Sequence, residues 1–193
     1  GVSHSERSLP GPAALHAVQL WIALPDAVRS MRPTFEHIET VPSATFGDHV
    51  AQVFIGELGS AASPATVFSP LVGAEVSVGT QGSIPLNPDW EYGVLNIGGS
   101  ISANGENVPP SALWYSPVGA TELVLTGSGT AIVIGGEPFL ERILMWWNFI
   151  ARTHEEIEEM RMDWNLHTYP PIADRVGGWI PAPEMPNVTL TAR

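Results

Sequence analysis

An imidazole and a carboxylate stand two residues apart at the start of this chain. In Gly1-Val2-Ser3-His4-Ser5-Glu6 an extended backbone would project His4 and Glu6 from one face. That is how a β-scaffold offers two ligands to one metal ion. Other chemistries are excluded by residue type. There is no cysteine, so thiolate-held zinc, iron–sulfur clusters and disulfides are out of reach. Ser3 and Ser5 flank His4, but a nucleophile–base pair needs a third orienting group and a rigid elbow, and no G-x-S-x-G occurs. No H-x-H occurs either, and His16, His37, His49, His154 and His167 are each isolated. Two ligands hold a divalent ion poorly, because affinity follows ligand count and preformed geometry.

The elements that must position such a pair can be read from composition and pattern. The chain has 193 residues, with 19 Gly and 18 Pro, which favours many short strands joined by tight turns. A formal net charge of −12 with only 8 Lys and Arg leaves no basic stripe for phosphates, so direct nucleic-acid binding is not expected. No apolar run approaches the roughly 20 residues that span a bilayer, and a soluble, cytoplasmic protein is expected.

Leu15–Leu24 is apolar, rich in strand formers and closed by Pro25-Asp26, which predicts a buried strand. Residues 25–49, with Pro25, Pro33 and Pro42, suit a connection, with a boundary near Phe46. Short β-like runs then recur at His49–Glu57, Ala65–Phe68, Val72–Val78, Gly93–Ile97, Ala112–Ser116, Glu122–Thr126 and Ala131–Gly135. Gly79-Thr80-Gln81-Gly82, Gly98-Gly99, Asn104-Gly105 and Gly127-Ser128-Gly129 separate them as turns, predicting antiparallel hairpins closed into a barrel or jelly roll. One helix is expected after Thr153, where Thr153 and Glu156 form a capping box and Ile157, Met160 and Trp164 repeat on one face. Trp146 and Trp147 read as anchors, His154 as a surface residue, and the segment with Pro170-Pro171 and Ile180-Pro181-Ala182-Pro183 as an extended surface tail.

The strand region resembles a cupin. The first cupin motif, G-x(5)-H-x-H-x(3)-E-x(6)-G, falls on Gly79, Pro85, Asn87, Glu91 and Gly98, in frame but without either histidine. The second, P-x-G-x(2)-H, falls on Pro109, Ser111 and Trp114, with Trp at the ligand position. A bicupin with one metal-bearing and one empty barrel is the pattern of the pirins. The chain resembles their C-terminal portion through Gly1-Val2-Ser3-His4-Ser5-Glu6, the Gln19-Leu20-Trp21 core and Gly135-Gly136-Glu137-Pro138. Trp146-Trp147-Asn148-Phe149 and the Glu-rich helix resemble a bacterial branch of pirin-like proteins.

The resemblance implies an all-β, double-stranded β-helix fold with one C-terminal helix. Residues 1–45 would be the remnant of an N-terminal cupin and its connection, 46–139 a C-terminal cupin barrel without metal ligands, and 140–193 the helix and Pro-rich tail. It implies a single non-haem iron, or a comparable divalent metal, held in the N-terminal barrel by three His and one Glu. His4 and Glu6 would be two of these ligands, and the others would lie in a preceding H-x-H segment. Glu6 would double as the general base of a flavonol dioxygenase of quercetinase type, acting on a small aromatic substrate, in the parent protein rather than in this chain alone. The other reading is a non-enzymatic regulator whose metal redox state tunes binding to a protein partner. An incomplete barrel would leave Leu20-Trp21-Ile22 uncovered, predicting self-association or pairing with the missing N-terminal part.

Overall fold

A computed structural model describes residues 3–6, 10–11, 14–170 and 178–192. It divides into two compact units, Glu36–Phe139 and Gly1–Phe35 with Leu140–Arg193. The first unit is an antiparallel cupin barrel. Its strands are β1 (Ser43–Phe46), β2 (His49–Leu58), β3 (Ala61–Ala62), β4 (Leu71–Val78), β5 (Gln81–Pro85), β6 (Glu91–Ala103), β7 (Glu106–Val108), β8 (Leu113–Ser116) and β9 (Glu122–Gly136).

The two longest strands, β6 and β9, run side by side along their lengths and each serves two sheets. The second half of β9 pairs with β4, which continues through β2 to β1, while the first half of β6 pairs with β8. The first half of β9 pairs with β5, and the second half of β6 with β7. The inward face carries the core: Val53, Val76, Ile84, Val94, Ile101, Leu123, Leu125 and Val133 are fully buried. Period-two alternation in β9, where Leu123 and Leu125 are buried and Glu122 is exposed, is the pattern of a strand covered on one side.

Two of the four expected turns are not turns. Gly98-Gly99 lies inside β6 and Gly127-Ser128-Gly129 inside β9, at the place where both strands bend from one sheet into the other. The backbones approach so closely there that a Cβ on Gly127 would lie 2.0 Å from the Ser100 carbonyl oxygen, and one on Gly129 2.0 Å from that of Gly98. Both glycines also have positive φ. Glycine is required for the crossing rather than for a reversal. Asn104-Gly105, by contrast, does form the tight turn between β6 and β7, with positive φ at both residues. Ala65–Phe68 is not a strand, because the Ala65 amide donates to Ser63 Oγ and the Thr66 amide to Glu36, leaving both donors outside any ladder.

The second unit contains a short hairpin, β10 (Leu144–Trp146) and β11 (Phe149–Ala151), followed by α1 (His154–Asn165). Thr153 is the N-cap, its hydroxyl accepting from the Glu156 amide at 3.2 Å. Ile157 is fully buried, and Met160 and Trp164 join it against Leu144, Phe149 and Ala151. Trp147 packs edge-on against Phe149 and Trp164, at 5.2 and 5.7 Å between ring centroids, so it anchors the helix to the hairpin. The tail after residue 178 runs without regular structure, mostly exposed as expected, and is stitched to α1 by side chains. Trp164 Nε1 donates to the Ile180 carbonyl, Asn165 Oδ1 accepts from Ala182, and His154 Nδ1 accepts from the Leu190 amide. His154 is thereby largely buried, not a surface residue. Pro171 of the Pro170-Pro171 pair lies outside the described residues.

Leu15–Leu24 is neither a strand nor buried: residues 14–24 carry no regular structure, Leu15 is 84% exposed and Trp21 46%. An apolar run becomes a strand only where a neighbouring strand completes its hydrogen bonds, and no described strand pairs with this one.

Candidate metal centre

Ser3 to Glu6 has no regular secondary structure, and both His4 and Glu6 are exposed; Gly1 and Val2 lie outside the described residues. Glu6 Oε1 accepts a hydrogen bond from Gln19 Nε2 at 3.3 Å, which links the carboxylate to the Gln19-Leu20-Trp21 segment. Among the described residues, no group of three or more His, Asp and Glu side chains gathers where a metal could be held. The five other histidines do not complete the pair. His16 and His37 are exposed, His154 is bonded to Leu190, and His167 stacks on Trp179 with ring centroids 4.4 Å apart.

His49 is fully buried in the barrel, and both its ring nitrogens are engaged. Nδ1 accepts from the Gly79 amide at 3.0 Å, which makes Nε2 the donor to the Leu125 carbonyl at 3.2 Å. It is a satisfied structural histidine with no nitrogen left for a metal. Asn96, also fully buried, donates to the Val108 and Gly99 carbonyls and accepts from the Gly98 amide. Its polar atoms hold the β6 bulge in place.

The positions on which the cupin frame is expected do not face the interior. Pro85 and Asn87 are exposed, whereas Ile84 and Leu86 face the interior, followed by Tyr92 and Val94. Glu91 points the other way and accepts from the Tyr115 hydroxyl. That carboxylate holds the Tyr115 hydroxyl above the ordinary tyrosine range. Trp114 does pack against the core, and its indole N–H donates to Glu106 at 3.2 Å. The interior positions that would hold a cation are therefore aliphatic or aromatic, and the barrel's donor set does not fit a metal. His4 and Glu6 alone do not fit one either.

Comparison with known proteins resolves the lineage. Residues 71–170 match the model described as the pirin C-terminal cupin domain. The chain belongs to the pirin family. A Pseudomonas aeruginosa protein named "Putative quercetin 2,3-dioxygenase" is 33% identical over 85% of this chain and 53% of its own length. A Caulobacter vibrioides "Pirin-like protein" is 28% identical over 95% of this chain and 66% of its own. The crystal structure of a quercetin 2,3-dioxygenase from Acinetobacter baumannii superposes with a TM-score of 0.82 at 36% identity, covering 89% of this chain and 59% of that one. The pirin-family chain thus spans between about half and two thirds of the length of these relatives. Among its described residues, no helix is long and apolar enough to cross a membrane.

Side-chain ties that the sequence does not advertise lie in the second unit. Arg29 grips Glu156 with two hydrogen bonds, at 2.7 and 3.1 Å, and also bonds Asp26. Glu141 accepts from the Asp26 amide and from Arg152, which also donates to the Leu24 carbonyl. Arg29 and Glu156 are 127 residues apart, and no local pattern announces them.

Proposed function

We propose that this chain supplies part of a non-haem iron dioxygenase of quercetinase type acting on flavonols, with His4 and Glu6 as two of the metal's four ligands. The observation that carries the reading is the 36% identity to the Acinetobacter quercetin 2,3-dioxygenase across 89% of this chain. In this reading residues 1–45 are the remnant of a metal-bearing N-terminal cupin and its connection, residues 46–139 an empty partner barrel, and residues 140–193 its helix and tail. Glu6 takes the proton from the flavonol hydroxyl, and Gln19, bonded to Glu6 Oε1, orients that carboxylate. With two ligands the chain alone binds iron weakly and does not turn over substrate. The exposed Leu15, Leu20, Trp21 and Ile22 favour self-association or pairing with an N-terminal cupin portion. A cytoplasmic location belongs to the same reading.

The test is iron content after anaerobic loading, followed by aerobic quercetin turnover, for this chain and for a longer form that includes an H-x-H segment. The chain alone should bind no stoichiometric iron. The longer form should bind iron and turn over quercetin, with His4→Ala losing metal and Glu6→Gln losing rate. A longer form that keeps full activity after both substitutions would sink the assignment. A second reading, a metal- and redox-dependent regulator that binds a protein partner, is favoured by the charge of Glu36–Phe139, which holds ten Asp and Glu and neither Lys nor Arg. Affinity that follows the iron's oxidation state, without turnover, would select it.

A further inference from the structure

Strand β8 is short, apolar and open on one side. It pairs with β6 and with no other described strand. Leu113 and Tyr115 are 58% and 57% exposed, an unusual pair to leave on the free edge of a sheet. The register shows where their backbone groups point. Asn96 of β6 donates its amide to the Ala112 carbonyl. Antiparallel pairing alternates, so Val94–Trp114 and Tyr92–Ser116 repeat that bonding. The intervening residues, Leu113 and Tyr115, turn their N–H and C=O groups away from β6 and toward the open side. The same two residues therefore present both free main-chain groups and exposed apolar side chains.

Charge decides what could fill that edge. Two carboxylates flank it: Glu91, which accepts from the Tyr115 hydroxyl, and Glu106, which accepts from Trp114 Nε1. The whole unit, Glu36–Phe139, contains no Lys or Arg to offset its ten Asp and Glu. A second copy of this chain, with a net charge of −12, would bring like charges to the same edge and is disfavoured. The geometry points to strand addition on β8 by an extended, basic segment of another protein, alternating apolar residues with Arg or Lys. Its backbone bonds Leu113 and Tyr115, its apolar residues cover their side chains, and its cations, projecting from the opposite face beside Trp114, reach Glu106. The inference rests on neither reading of His4 and Glu6, since the edge contains neither residue.

The test uses the full chain and a fluorescent peptide alternating valine with arginine, followed by anisotropy and by backbone hydrogen exchange. Saturable binding is expected, with exchange slowed at Leu113 and Tyr115 and affinity falling as salt rises. Leu113→Lys, checked for native circular dichroism, should weaken binding about ten-fold by putting a charge where the peptide's valines pack. Methylating the peptide amides that face β8, which keeps charge and removes donors, should weaken it at least as much. That comparison needs no protein variant and survives a misfolded one. Equal binding by the methylated peptide would overturn the proposal in favour of diffuse attraction to an acidic barrel. So would concentration-dependent protection of Leu113 and Tyr115 without peptide, which would give the edge to a second copy.

Discussion

The two units carry the same number of acidic residues and use them differently. Glu36–Phe139 has ten Asp and Glu, and so does the remainder of the chain, yet all eight arginines lie in the remainder. In the helical unit, carboxylates are structural: Glu156 and Glu141 tie residues 24–29 to the hairpin and helix through Arg29, Arg152 and the Asp26 amide. In the barrel, described carboxylates instead take hydroxyl, indole or amide donors: Thr66 to Glu36, Ser83 to Glu122, Trp114 to Glu106 and Tyr115 to Glu91. A nine-stranded sheet folded around a continuous apolar core does not need ion pairs to hold its shape. A small unit with one hairpin, one helix and an irregular tail depends on them, and on its aromatic cluster.

The difference is sharpest where backbone approach alone decides. Gly129→Ala would place a Cβ 2.0 Å from the Gly98 carbonyl oxygen at a positive φ. It should destabilise the barrel by about 3 kcal/mol or more, read as a lower urea midpoint for the intact chain. An unchanged midpoint would mean that β6 and β9 can part at their crossing. The counterpart in the helical unit is Ile157→Ala, which empties the centre of the small core. It should cost about 3 kcal/mol and shift the tryptophan transition while the amide protection of β4, β6 and β9 persists. Coincident loss of both signals would show that the units unfold as one.

How much of this was legible depends on distance along the chain. The N-cap at Thr153, the packing stripe of Ile157, Met160 and Trp164, and the Asn104-Gly105 turn are set by residues within a few positions of each other, and all appear as expected. Gly98-Gly99 and Gly127-Ser128-Gly129 depart from the expected turns because glycine reports a steric demand without saying which neighbour imposes it; here each segment answers to the other. The cupin frame falls on outward-facing residues for a related reason. Side chains alternate with period two, so which of Ile84 and Pro85 faces inward is fixed by the partner strand β9. For the candidate site, the sequence offered the residue types His4 and Glu6. It could not offer convergence, which needs a third ligand in space. The Arg29–Glu156 clamp was invisible for the same reason.

That clamp is the next place to break the contrast. Arg29→Met removes a bidentate, half-exposed pair together with the Asp26 contact, so the expected loss is only about 1 kcal/mol. It should fall entirely on the helical unit, lowering its melting transition and leaving barrel exchange rates unchanged. Loss of barrel protection would refute the division of labour.

The gentlest perturbation is acid. Glu156 is held below the usual carboxylate range by the Arg29 guanidinium first and then by the Arg152 amide, and Glu141 by the Asp26 amide first and then by Arg152. A carboxyl whose native value is depressed contributes stability in full above its ordinary value of 4.5, and loses it as pH falls through the lower native value. The helical unit should therefore be unaffected near neutrality and weaken progressively below about pH 4.5. In the barrel Glu36 is depressed too, by the Thr66 hydroxyl, but this unit holds no Lys or Arg whose ion pairs acid could break, so the barrel should respond less. Five of the seven tryptophans lie outside Glu36–Phe139, which makes intrinsic fluorescence a reporter chiefly of the helical unit. On acidification the fluorescence should change before the β-sheet circular dichroism does, and Glu156→Gln should flatten that early phase. If the sheet signal fell first, the ion pairs would not be what separates the two units.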